Sequence, residues 1–170
     1  MPNWCEGNIR LRGTGAAIRE FLKNEIVAIG YAGGGVLGGM SKCPIEVADF
    51  DGDLFVKIPE NALSWRFRKM FIKDTARNFI DTQDSFYVYT EGEEEVSTVC
   101  IDGFQAAWGV ISAPYVEKAK KYGIDIKIVG FERGMQFAQI IEIVNGELLK
   151  DQEIKFDDWH WECIMPNMGG

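Results

Sequence analysis

The sequence predicts an α+β fold: a ferredoxin-like βαββαβ core with an inserted glycine-rich and helical middle and extra C-terminal strands. Three observations predict it. An alternating strand pattern near the N-terminus runs directly into a helical period. A second helical period, opened by Pro114 and closed by Gly123, leads into another clean alternation. Two short strand-like runs lie between them. At 170 residues the chain fits one domain spanning 1–170, with 30–80 as the insertion.

The elements follow in order. From Asn3 to Arg12, Ile9 and Leu11 alternate with Asn8, Arg10 and Arg12, the pattern of a half-buried strand. Thr14 suits an N-cap, and Ile18, Phe21, Leu22, Ile26 and Ile29 recur at helical spacing, so residues 14–29 read as an amphipathic helix. Six glycines between Gly30 and Gly39 end that helix in a loop. Residues 54–58 read as a short strand closed by Pro59. Residues 61–79 read as a helix with Leu63, Phe67, Met70, Phe71 and Phe79 near one face. Residues 86–89 and 95–102 read as paired strands around the turn Glu91-Gly92-Glu93. Pro114 begins the second helix and Gly123 caps it; residues 124–129 and 136–144 are strands, and Asn145-Gly146 turns tightly into Glu147-Leu148-Leu149.

Composition excludes whole classes. Hydrophobic residues at 46% supply a core and exclude intrinsic disorder. A balance of 18 Lys+Arg against 26 Asp+Glu, a net charge of −8, argues against a generic binder of nucleic acid or anionic membrane. No apolar run approaches the roughly 18 residues that span a bilayer. No basic-then-apolar leader opens the sequence, and Cys5, Cys43, Cys100 and Cys163 form no CxxC pair. These features point to a cytoplasmic protein with reduced, mostly buried cysteines.

Pro2-Asn3-Trp4-Cys5-Glu6-Gly7-Asn8-Ile9-Arg10-Leu11 opens the chain. A second stretch runs from Ala107-Trp108-Gly109 through Pro114, Lys121-Tyr122-Gly123 and Phe131-Glu132-Arg133-Gly134 to Phe137 and Asn145-Gly146-Glu147. Together these resemble the two ends of YubB-like proteins, small ferredoxin-fold proteins of conjugative plasmids and phages. Ala138 and Gln139 depart from the glycine expected after Phe137, and residues 30–80 lie outside the resemblance. What the resemblance implies is a ferredoxin-like fold, a mobile-element origin and, from gene context, counter-defence. It carries no catalytic motif.

Candidate chemical motifs dissolve under their structural requirements. Gly33-Gly34-Gly35-Val36-Leu37-Gly38 spells G-x-G-x-x-G, but a helix precedes it where the dinucleotide fingerprint needs a strand. Met40 stands where a phosphate-cradling loop needs Lys. The single histidine, His160, with Cys163 and the carboxylates Asp157, Asp158 and Glu162, makes too thin a set for zinc. Trp159 and Trp161 read instead as one face of a terminal strand, with His160 opposite. Neither a cofactor nor a metal is expected, and no catalytic residue is assigned.

Two charged stretches remain. Arg66, Arg68, Lys69, Lys73 and Arg77 interleave with Trp65, Phe67 and Phe71. Such a helix either clamps single-stranded nucleic acid or turns its aromatics inward and solvates its cations. Between Asn78 and Glu117 there is no Lys or Arg, but there are Asp81, Asp84, Glu91, Glu93, Glu94, Glu95, Asp102 and Glu117, equal to the whole net charge. The leading expectation is therefore a non-enzymatic mobile-element protein that inhibits a host defence nuclease of the CRISPR or restriction type. Its acidic surface, Asp81 to Asp102, would occlude the nuclease's basic groove. The alternative is a nucleic-acid-binding accessory protein using Trp65, Arg66, Arg68, Lys69, Lys73 and Arg77.

Overall fold

The computed structural model describes residues 2–31 and 40–170, so the G-x-G-x-x-G run lies outside the described residues. In order come β1 (Trp4–Thr14), α1 (Gly15–Glu25), β2 (Ile26–Tyr31), β3 (Met40–Pro44), β4 (Glu46–Phe50), β5 (Asp53–Lys57), β6 (Arg66–Ile72) and β7 (Asn78–Ile80). Then follow β8 (Ser85–Val88), β9 (Val96–Ala107), α2 (Ala113–Tyr122), β10 (Asp125–Glu132), β11 (Phe137–Val144), β12 (Glu147–Lys155) and α3 (Trp159–Glu162).

The expected ferredoxin-like βαββαβ core is not what forms. The described strands make a nine-stranded sheet ordered β12-β11-β10-β1-β9-β7-β6-β2-β3 and a three-stranded sheet ordered β4-β5-β8, and every ladder is antiparallel. The stretch expected to be an inserted helix supplies β6 and β7, which stand inside the large sheet between β9 and β2. The strand that follows α1 therefore cannot pair with β9.

Each local correction has a physical reason. In residues 66–72, Met70 and Ile72 turn to the core while Lys69 and Phe71 turn to the other face. Because aromatics occupy that second face too, the alternation is masked and the apolar positions imitate a helical period. The helix expected over 14–29 stops at Glu25: Ile26 and Ala28 also fit a period of two, and β6 pairs with them as Ile26↔Ile72 and Ala28↔Met70. Residues 86–89 and 95–102 are not a hairpin, since β8 joins β5 and β9 joins β1 and β7. The terminal residues 159–162 are a helical turn rather than a strand, so Trp159 and Trp161 do not share a face. Trp159 is buried and Trp161 is 87% exposed.

α1 begins as expected, with Thr14 Oγ1 accepting from Ala17 N at 3.2 Å, and α2 ends on Gly123 in the left-handed region at φ 62°. Both helices, with the small sheet, cover one face of the large sheet around a single core that includes Ile9, Leu11, Phe21, Phe104 and Tyr115. On the opposite face, residues after β12 fold back over β10 and β11. There Trp159 and Cys163 are buried with Phe131 and Ala138, and Gly170 exchanges backbone hydrogen bonds with Trp4. The neighbouring half of that face, over β9, β7, β6, β2 and β3, has no helix on it among the described residues. Among them, too, no helix is long and apolar enough to cross a membrane.

Candidate functional site

The uncovered half of the sheet is set by strand alternation and register. Core-facing Cys5, Ala106, Asn78, Ile80 and Met70 force their neighbours Trp4, Phe79, Phe71 and Lys69 to the other side. The register Phe71↔Phe79↔Gln105↔Glu6 lays these side chains in a row across four strands. β2 and β3 add Ile29, Tyr31, Met40 and Lys42.

The result is an interleaving of rings and cations. Phe79 meets Trp4 edge-on at 5.8 Å and Phe71 at 5.6 Å. Lys69 Nζ lies 5.5 Å from the Trp4 ring and 5.9 Å from Phe79, and Lys42 Nζ is 5.9 Å from Phe71. The Arg77 guanidinium stands 5.9 Å from Trp4 and 5.7 Å from Trp108. Each such contact contributes about 0.5–1 kcal/mol at exposed sites. Two clefts of about 450 Å³ share Ala76 and Arg77, one running toward Trp108 and Ile111, the other toward Phe79, Phe71 and Lys42. A third, of about 170 Å³, continues past Trp4 and Lys69 to Phe67.

The floor of this groove is hydrogen-bonded. Lys69 Nζ donates to Asp81 at 2.7 Å and to Gln105 Oε1 at 2.9 Å. Gln105 Nε2 donates to Glu6 at 3.0 Å, and Glu6 also accepts from Gly169 N at 3.1 Å. At one end, both polar atoms of the Gln139 amide engage the Val110 backbone, at 2.8 and 2.9 Å, which fixes the loop bearing Trp108.

The basic stretch of the sequence is thus a strand and a turn, not a helix, and its members part company. Lys69 and Arg77 line the groove. Arg68 forms a two-bond fork with Asp84, 2.6 Å each, which lowers the Asp84 pKa and raises that of Arg68. Lys73 donates to the Asn24 carbonyl, Trp65 packs against the core, and Arg66 is exposed. Sequence reasoning missed Trp4, Tyr31, Lys42, Phe79 and Trp108 as site residues. They reach the groove from separate strands and from the loop after β9, so only sheet register assembles them.

The acidic residues do not form one surface. Asp81 and Asp84 are held by Lys69 and Arg68. Residues 91–95 join the two sheets beside the start of α1, where the Glu93 and Glu95 carbonyls accept from Ala16 N and Gly15 N at 2.9 and 3.3 Å. Arg19 pairs with Asp49 and lies 3.7 Å from Glu93. α1 has no acidic residue in its own first turn, so this segment supplies the negative charge that favours a helix N-terminus. Glu91, Glu94 and Glu95 are exposed, and Asp102 sits seven residues further along β9, about 23 Å by strand rise.

The remaining candidate groups are ordinary. All four cysteines are free; Cys5 and Cys163 are buried, Cys43 is half-buried and Cys100 is exposed. Burial, with Glu132 and other carboxylates nearby, pushes the Cys5 thiol up to about 12, away from reactive thiolate. Among the described residues no group of three His, Cys, Asp or Glu side chains is placed to hold a metal. No protein-family model, curated protein or solved structure matches the chain.

Proposed function

We propose that this protein binds single-stranded nucleic acid along the open half of its large sheet. The observation that carries this reading is the groove in which Trp4, Phe71, Phe79 and Trp108 alternate with Lys42, Lys69 and Arg77. Ring faces stack unpaired bases whatever their identity, and cations between the rings neutralise phosphates. A duplex hides its base faces and offers only charge, which a chain of net charge −8 does not attract at large. Among the described residues Lys42 and Arg77 form no ion pair, so they are free to meet phosphate. Fluorescence anisotropy with labelled single strands of about ten nucleotides tests the reading. The wild type should bind at low salt, and Lys42→Glu/Arg77→Glu should abolish binding with the melting temperature unchanged. Absence of wild-type binding at low salt overturns it.

A second reading has its own observation. Glu91, Glu94 and Glu95 are exposed, and among the described residues they form no ion pair. They suit a basic protein partner, and the mobile-element resemblance makes a CRISPR or restriction nuclease the one to try. Reversing all three to Lys should abolish inhibition of such a nuclease. Inhibition that survives the reversal removes the acidic corner from consideration.

A further inference from the structure

The two ends of the groove carry a shared backbone feature. Phe67 and Trp108 are its most exposed rings, at 85% and 61%, and both hold left-handed backbone conformations, at φ 52° and φ 64°. A bulky L-residue seldom adopts that region, because Cβ crowds the adjacent carbonyl. Phe67 lies where the pairing of β6 with β2 shifts register between Ile29↔Lys69 and Tyr31↔Arg66, so a bulge swings its ring outward. Trp108 follows the last residue of β9; its N–H donates to the Asn3 carbonyl at 2.9 Å, and Gly109 behind it has φ 149°. At Phe67 the register shift between β6 and β2 imposes the conformation, and at Trp108 the hydrogen bond to Asn3 holds it, while each ring is left mostly in water. Burial does not explain an aromatic side chain at either position.

We infer that Phe67 and Trp108 are the two terminal stacking anchors of the single-strand groove, each held in a costly backbone conformation so that one ring face is presented to a base. This rests on the nucleic-acid reading above and adds the path of the strand. Phe71 and Gln105 are level with one another through Phe79. Phe67 lies four residues before Phe71 and Trp108 three residues beyond Gln105, and β6 is two strands from β9. That places the anchors about 25 Å apart, diagonally across β6, β7 and β9. Several unstacked nucleotides span that distance, passing Lys69 and Arg77 on the way. Strain at ligand clamps of this kind is retained for function rather than for folding.

The test separates ring from backbone. Glycine accepts both conformations without crowding, so Phe67→Gly and Trp108→Gly should melt at or above the wild-type temperature. Each should nevertheless weaken binding of a strand of about ten nucleotides at least fivefold, the lower limit for losing one stacked base. Phe67→Tyr should bind as the wild type, whereas Phe67→Leu, apolar but without a ring, should weaken like the glycine variant. Glycine variants that bind with wild-type affinity overturn the anchors but leave the nucleic-acid reading standing. A melting temperature well below wild type in Phe67→Gly overturns the claim that the ring does not serve the fold. No binding by the wild type overturns both.

Discussion

Lys69 has four neighbours that pull it in different directions: the Trp4 and Phe79 rings, the Gln105 carbonyl oxygen and the Asp81 carboxylate. The carboxylate occupies the position a phosphate would want, so a bound strand must displace it or share the ammonium. Exposed pairs of this type contribute about 0–1 kcal/mol to stability, which makes Asp81 dispensable to the fold. Asp81→Asn should therefore keep the melting temperature within a degree or two of wild type and tighten single-strand binding severalfold. Equal affinity in the two proteins would show that Lys69 takes no part. Arg68 is different: its fork on Asp84 ties β6 to the segment before β8, leaving the guanidinium committed within the chain.

At the scale of elements, α1 is joined to α2 by one buried cluster. Glu25, 4% exposed, accepts from Lys118 at 2.6 Å, Lys121 at 2.8 Å and the Tyr122 hydroxyl at 2.6 Å. Burial by itself would raise the carboxyl, but these three hydrogen bonds outweigh it and hold the pKa down to about 2 from 4.5. A folded-state pKa below the unfolded value stabilises the protein above pH 4.5, and that stabilisation is lost as the pH falls from 4.5 toward 2. Thermal melts should be flat near neutrality and drop through that window. Glu25→Gln should blunt the acid drop, and at pH 7 it should cost up to about 3–5 kcal/mol because buried Lys118 keeps only the exposed Asp74, 3.7 Å away, as a counter-charge. A variant as stable as wild type at neutral pH would show that the cluster does not join the helices.

Across the whole molecule, the open half-face exists because the two faces of one sheet are covered unequally. Helices and the small sheet take one side; on the other, residues after β12 cover only β10, β11 and the start of β1. The half left bare is the half that contains β6 and β7, between β9 and β2. The same strand order divides the acidic run. Its first two carboxylates go to ion pairs beside the groove and residues 91–95 to the start of α1, while Asp102 stands next to a glycine bulge of β9. That bulge is at Gly103, φ 74°, where a Cβ would meet the Asp81 carbonyl at 2.6 Å. The net charge of −8 is therefore not one face, and a cationic groove coexists with it.

Much of this was legible in the residues. The N-terminal strand, the Thr14 cap, the α2 helix with its Gly123 terminus and the β10–β11–β12 run were readable because their signals are local: one face apolar, one polar, with turn residues between. Of the basic-aromatic stretch 65–77, Phe67, Lys69, Phe71 and Arg77 line the groove, while Arg68, Lys73 and Trp65 are committed within the chain. Residues 61–79 were misread because strands with apolar or aromatic side chains on both faces lose the alternation that separates a period of two from 3.6. The groove was beyond reach for another reason. Trp4, Phe79, Lys42, Arg77 and Trp108 come from distant parts of the chain, and only pairing between β1, β9, β7, β6, β2 and β3 sets them side by side. By itself the sequence determined which residues could turn inward and which charges had to stay wet. Tertiary structure alone decided which strands became neighbours, because antiparallel ladders form between any compatible edges and burial of both helices selects among them.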